Sequence, residues 1–201
     1  EYNSAVYDKK GLDYADLHLY WQKNKTFDGY AKAAEVNVID PLTFLEKECD
    51  ILIPAAVERS IHKHNAGKLQ CKVLGEAANG PTTFEAERIL MERGIIVVPD
   101  ALLNGSGVTC SYFEWLKNID HVAPGRLTKK YEQKSKLKLL QQIGYTFPED
   151  SPSAKNLEGG SEIEIVYASL EEFMTDACRE NWTHAVEHNM CFRDACLSRA
   201  I

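Results

Sequence analysis

Three short apolar runs at nearly equal intervals constrain this chain more than any other feature. Cys49-Asp50-Ile51-Leu52-Ile53-Pro54, Cys71-Lys72-Val73-Leu74 and Gly94-Ile95-Ile96-Val97-Val98-Pro99 start roughly 22 residues apart. Segments of helical character lie between them. That alternation is the pattern of a parallel sheet built from strand–helix–strand units. The runs lack polar alternation, which predicts strands covered on both faces. Ligands of such sheets bind in the crevice beyond the carboxyl ends of the strands. The residues that follow each run are therefore where chemistry is expected.

The helical segments carry start signals. Asp40-Pro41 offers an N-cap and a proline at the first helical position. Thr82 with Glu85 has a capping-box pattern, and Ser161 with Glu164 has another. After Ser161, apolar residues recur at helical spacing at Val166, Leu170, Phe173, Met174 and Ala177. From Gly144 to Gly160 the pattern breaks at Pro148, Pro152, Gly159 and Gly160, which predicts an excursion or linker. Helical segments over about 161–188 and 190–201 follow it. The fold class expected is α/β, a parallel sheet followed by an α-helical excursion and C-terminal helices.

Composition narrows the function. With 201 residues, 44% of them hydrophobic, the chain can bury a sizeable core. Its net charge of −7, from 30 acidic and 23 basic residues, argues against a nucleic-acid partner. The basic stretch Lys129-Lys130-Tyr131-Glu132-Gln133-Lys134-Ser135-Lys136 reads as a solvated helix face. Six cysteines, at 49, 71, 110, 178, 191 and 196, show no CxxC spacing and indicate a reducing compartment. Asn104-Gly105-Ser106 and Asn181-Trp182-Thr183 are then expected to stay unglycosylated. No apolar run approaches the roughly 18 residues of a membrane span, so no membrane partner is expected. There is no signal or transit peptide pattern. The chain begins at Glu1 rather than Met and its last helical pattern stops at Ala200-Ile201, so both true termini are expected to lie outside it.

Two loops hold the residue types that bind polar ligands. In Glu76-Ala77-Ala78-Asn79-Gly80-Pro81, small residues let the backbone approach a flat ligand. Asn79 adds a donor and an acceptor at the strand end. Taken alone, the segment is equally a good turn. In Asn104-Gly105-Ser106-Gly107, an amide and two glycines precede a helix start, which suits a polar ligand edge. Asn104 and Ser106 equally suit a turn and an N-cap. Ser111 lies one helical turn beyond Gly107, where its hydroxyl can meet a carboxylate.

Taken together, the two loops closely resemble the coenzyme and substrate loops of the glutamate dehydrogenase (Glu/Leu/Phe/Val dehydrogenase) family. The resemblance runs over nearly the whole chain and is densest from Cys49 to Tyr131. It is carried by Asp50-Ile51-Leu52-Ile53-Pro54-Ala55-Ala56, Ala78-Asn79-Gly80-Pro81-Thr82-Thr83, Ser111-Tyr112-Phe113-Glu114-Trp115-Leu116-Lys117-Asn118 and Gly125-Arg126-Leu127-Thr128 with Lys130-Tyr131-Glu132. The resemblance implies an incomplete Rossmann-type doubly wound sheet in a partial NAD(P)-binding domain over 1–128. An antenna-like insert, shorter than in animal-type enzymes, is implied over 129–160, and pivot-like and C-terminal helices over 161–201.

The implied activity is oxidative deamination of L-glutamate to 2-oxoglutarate and ammonia with NAD or NADP. By resemblance, Pro54, Ala55 and Ala56 lie against the coenzyme ribose and pyrophosphate, and Asn79 beside the nicotinamide ribose. Asn104 fixes the nicotinamide carboxamide. Val108 and Ser111 receive the glutamate side chain, Ser111 bonding its distal carboxylate. Glu1 stands where an acidic residue binds the adenosine ribose hydroxyls, which favours NAD. The resemblance further implies a homohexamer in the mitochondrial matrix, with the cytoplasm as the alternative.

The sequence departs from the family pattern at Ala77, where glycine is usual, at Gly105-Ser106, where Ala-Gly is usual, and at Cys110, where valine is common. The glycine-rich first turn of the dinucleotide site is expected before Glu1. The catalytic lysine and aspartate are expected in a further N-terminal domain. Proton transfer in the reaction needs such groups, and Lys117 does not match them, so these 201 residues alone are expected to be inactive. No metal site is expected. His184-Ala185-Val186-Glu187-His188 matches an H-x-x-E-H zinc pattern, but reads as a polar helix face. His62 and His64 read as helix-end cations. The competing functions are a related amino-acid dehydrogenase for apolar substrates, and a non-catalytic remnant of the fold acting as a binding or regulatory subunit.

Overall fold

In a computed structural model of the protein, which describes residues 5–30, 32, 35–36, 41–121, 123, 125–126, 128–146, 148 and 157–200, the three apolar runs form one parallel sheet. Asp40 and Glu1 lie outside the described residues. The chain divides into two units, 1–100 and 101–201. Each is described by itself.

The first unit opens with β1 (Val6–Tyr7), α1 (Tyr14–Asn24) and β2 (Glu35–Val36), the two strands pairing antiparallel. Asp13 caps α1 by accepting from the Asp16 amide. The Asp16 carboxylate accepts in turn from Tyr30 Oη and Lys32 Nζ. The chain continues through α2 (Pro41–Phe44), which does begin on the expected proline. It then forms β3 (Ile51–Leu52), β4 (Val73–Gly75), α3 (Phe84–Glu92) and β5 (Ile96–Val98).

The sheet order is β3-β4-β5, all parallel. The register pairs Leu52 with Leu74 and Leu74 with Val97, so these three point to one face. On that face Ile61, Ala66, Leu69, Ala86 and Leu90 close around Leu74, which is fully buried. The α/β architecture is as expected, but coverage of both faces is not. Parallel strands joined by right-handed crossovers in sequential order put every connecting segment on the same side. Ile51 and Ile96, on the opposite face, stay 62% and 42% exposed.

Between β3 and β4 the crossover is a turn followed by a single 3-10 turn, Ala66–Lys68. Buried Asn65 ties it. Its Oδ1 accepts from the His62 amide and its Nδ2 donates to the Ser60 carbonyl, both at 2.8 Å. His62 and His64 therefore sit in this turn, not at the end of an α-helix as expected. Arg93, the C-cap of α3, donates Nη1 to the Ala66 carbonyl at 2.5 Å and Nη2 to the Leu69 carbonyl at 2.6 Å.

The cap of α3 also differs from expectation. Thr83, not Thr82, accepts from the Ala86 amide. Thr82 is still extended, bridged to Ile61, so the helix starts one residue later.

From the first unit the chain passes through α4 (Asp100–Leu103) into the second, which holds α5 (Ser106–Asp120), α6 (Lys129–Gln142), α7 (Glu162–His188) and α8 (Phe192–Arg199). Ser161 and Glu164 form the expected capping box at the start of α7. Asn189, left-handed at φ 50°, ends that helix and turns the chain into α8. Trp182 meets Phe192 edge-on at 5.5 Å, and Arg199 pairs with Glu180 at 2.5 Å. On α6, Lys130, Lys134 and Lys136 are solvated as expected, while Lys129 pairs with Glu158 at 2.7 Å. That partner pushes the Lys129 ammonium above the usual lysine range. Among the described residues no helix is long and apolar enough to cross a membrane.

Candidate functional site

In the first unit the carboxyl ends of β3, β4 and β5 carry three loops that are tied to one another. The Pro54 carbonyl accepts from the amides of Ala77 and Ala78, at 3.1 and 3.0 Å. The Glu76 amide donates to the Val98 carbonyl at 3.0 Å. The Gly80 amide donates to Asp100 Oδ2 at 2.8 Å, and the Asp100 amide donates to Glu76 Oε2 at 2.9 Å. Arg59, held left-handed at φ 53°, donates its amide to the Gly80 carbonyl at 2.9 Å. Gly80 itself has φ +53°, a conformation that an L side chain rarely adopts.

These bonds bring Pro54, Ala55, Ala56 and Asn79 onto adjacent loops. Pro54 is buried under the turn, while Ala55, Ala56 and Asn79 are exposed and Ala77 and Ala78 half-buried. The surface is thus a ledge of small side chains and backbone with one amide side chain at its edge. Small exposed side chains of this kind suit close approach of a flat, hydrogen-bonding ligand.

Glu76 and Asp100 were not among the expected site residues. The sequence did carry a signal for Glu76. A carboxylate closing the apolar run Val73-Leu74-Gly75 is costly to bury unless a donor meets it. Glu76 is fully buried, and the Asp100 amide is that donor.

The remaining site residues lie in the second unit, along the start of α5. Asn104 is half-buried in the turn that precedes the helix. The residue at the N-cap is Gly105, and Ser106 is the first helical residue rather than the cap expected as an alternative. Val108 and Ser111, three apart, share a helix face. Val108 is 76% exposed. The Ser111 hydroxyl is exposed but donates to the Gly107 carbonyl at 3.1 Å, the back-bond typical of helical serine. It must turn from that carbonyl before it can donate to a carboxylate. Lys117 Nζ is held by Glu162 at 2.6 Å.

The cysteines are free thiols. Burial pushes Cys71 above the ordinary thiol range, with Cys49 adding to the effect, and burial raises Cys49 as well. In the H-x-x-E-H segment, His184 Nε2 lies 3.2 Å from Ser198 Oγ, and His188 Nδ1 lies 3.1 Å from the His184 carbonyl. Among the described residues no group of three or more histidine, cysteine, aspartate or glutamate side chains is gathered to hold a metal ion.

A family model described as Glutamate/Leucine/Phenylalanine/Valine dehydrogenase matches residues 1–142. A mitochondrial glutamate dehydrogenase of Dictyostelium discoideum is 45% identical over 204 residues, which cover 100% of this chain and 40% of that protein. The crystal structure of a glutamate dehydrogenase from Peptoniphilus asaccharolyticus aligns at TM-score 0.58 and 28% identity, over 95% of this chain and 33% of that one. A hetero-hexameric glutamate dehydrogenase from Thermus thermophilus shares the fold at TM-score 0.67, with 21% identity over 96% of this chain and 36% of that one. The chain thus spans about two-fifths of the length of the curated relatives it matches.

Proposed function

Because this chain belongs to the Glutamate/Leucine/Phenylalanine/Valine dehydrogenase family, we propose that it is the coenzyme-binding part of an enzyme that deaminates L-glutamate oxidatively with NAD or NADP. The products are 2-oxoglutarate and ammonia. The observation that carries this is the set of three cross-tied loops at the carboxyl ends of parallel strands, with small residues exposed on them. When bound, the nicotinamide supplies the acceptor for hydride from the amino-acid Cα.

The residues of this chain bind and orient. Pro54, Ala55 and Ala56 support the coenzyme ribose and pyrophosphate, and Asn79 the nicotinamide ribose. Asn104 holds the carboxamide. Val108 and Ser111 receive the substrate side chain, with Ser111 releasing Gly107 to bond the distal carboxylate. That hydroxyl favours glutamate over an apolar amino acid, because only the distal carboxylate offers it a charged acceptor stronger than the Gly107 carbonyl it already bonds. Glu1, outside the described residues, is assigned to the adenosine ribose on sequence alone.

The proton transfers need a lysine and a carboxylate that this chain does not match to the family pattern, and Lys117 is occupied by Glu162. Catalysis therefore requires the full-length protein. Its assembly is proposed to be a homohexamer, on the family resemblance alone, and its location the mitochondrial matrix, which the mitochondrial Dictyostelium relative supports.

The test is glutamate-dependent NAD(P)H formation by the full-length protein and by the 201-residue chain. The first is expected to be active and the second inactive. Silence of the full-length protein toward glutamate refutes the assignment, and activity in the isolated chain overturns the expected inactivity of these 201 residues. Ser111→Ala is expected to raise KM for glutamate and leave KM for coenzyme nearly unchanged.

A further inference from the structure

We propose that Asp100, seated by the buried Glu76, is a positioning residue for coenzyme binding, fixing the Asn79-Gly80 turn in the shape the ligand meets. The inference rests on the coenzyme-binding assignment above. Pro81, on the far side of the turn, is fully buried, but a Cβ built on Gly80 meets no atom within 4 Å. Gly80 is held by its backbone hydrogen bonds: it donates to Asp100 Oδ2 at 2.8 Å and accepts from the Arg59 amide at 2.9 Å.

Asp100 is fixed in its turn by its own amide, which donates to Glu76 Oε2 at 2.9 Å. Glu76 is fully buried at the end of β4. A relay thus runs from the sheet to the ligand-facing turn: Glu76 sets Asp100, and Asp100 sets Gly80 beside Asn79. A bond to a carboxylate is about twice as strong as one between neutral groups. Lost on the exposed side of the turn, where Asn79 and Gly80 lie, it lets Asn79 sample orientations that do not meet the ligand. The competent fraction falls and apparent affinity falls with it.

The experiment uses the full-length protein with Asp100→Ala and Asp100→Asn. Exchange of the Gly80 amide without coenzyme is read first, then the Kd for NADH and KM for glutamate. The asparagine keeps an acceptor oxygen and serves as the rescue variant. Asp100→Ala is expected to speed Gly80 exchange and raise the NADH Kd about tenfold, the fold-change of one charge-assisted bond. KM for glutamate should change little, and Asp100→Asn should recover most of both losses.

Wild-type NADH affinity and Gly80 exchange both retained in Asp100→Ala would overturn the inference while leaving the coenzyme assignment intact. Equal losses in both variants would overturn it as well, since a generally weakened fold would not be rescued by an acceptor. A wild-type protein that binds no NADH refutes the assignment itself, and the inference with it.

Discussion

Replacing Arg93 with alanine should loosen the first unit more than its exposed position suggests. Its guanidinium donates to the Ala66 and Leu69 carbonyls at 2.5 and 2.6 Å. Both of those residues are fully buried. Each charge-assisted bond contributes about 1.5–3 kcal/mol, and a carbonyl left without its donor costs about 1–3 kcal/mol. Arg93 is itself reached by water, which lowers the sum to about 2–4 kcal/mol. In native-state hydrogen exchange, the most protected amides of β4 and β5 report opening of this unit. Their protection should fall by about thirtyfold to a thousandfold, since each 1.4 kcal/mol is a factor of ten. Arg93→Lys keeps the charge but not the fork, so it should recover about half of the free energy. A change in protection of less than about threefold in Arg93→Ala, or full restoration by lysine, would show that the guanidinium fork does not hold this unit.

Gly80→Ala should lower thermal stability by about 1–2 kcal/mol equivalent, the cost of a left-handed alanine, since no atom obstructs the new methyl. Gly80→Asn should be milder, and differential scanning calorimetry of the two separates backbone strain from crowding. Ser161→Ala should cost about 1 kcal/mol by removing the capping box, read as faster amide exchange in the first turn of α7. Lys32 above all, with Tyr30, holds the Asp16 carboxyl below the usual carboxylate range. A depressed folded pKa means its stabilisation is complete above the ordinary value and lost as pH falls through the folded one. The melting temperatures of wild type and Asp16→Asn should therefore differ at neutral pH, begin to approach one another below about pH 3.9, and converge only below the depressed folded value.

The sequence made the elements legible where the signal was local. Strand spacing located β3, β4 and β5, and Ser161 with Glu164 marked the start of α7. It misled where a tertiary bond decided the outcome. Glu85 three residues on favours Thr82 as the cap in sequence, but Thr82 is held extended by its bridge to Ile61 and Thr83 caps instead. The exposed faces of Ile51 and Ile96 follow from strand order, which apolar runs do not encode. At the candidate site, Pro54, Ala55, Ala56 and Asn79 stood out through motif resemblance. The Glu76–Asp100–Gly80 relay did not, because Asp100 stands on another loop, 20 residues from Gly80 and 24 from Glu76, and nothing local says which carboxylate meets which amide. Ser111 was singled out as an exposed hydroxyl on a helix start, while its bond to Gly107 emerged only from the helix geometry.

The cross-tied loops also bear on how such a protein can change over evolutionary time. Each loop end is a fixed point for the next, through the Pro54 carbonyl, the Gly80 amide and the Asp100 carboxylate. Adding or deleting a residue in any one of them shifts the donors and acceptors of the other two out of register. Change in these loops is therefore channelled into side-chain exchange at constant loop length. The exposed positions Ala55 and Ala56 can be exchanged without disturbing that outline.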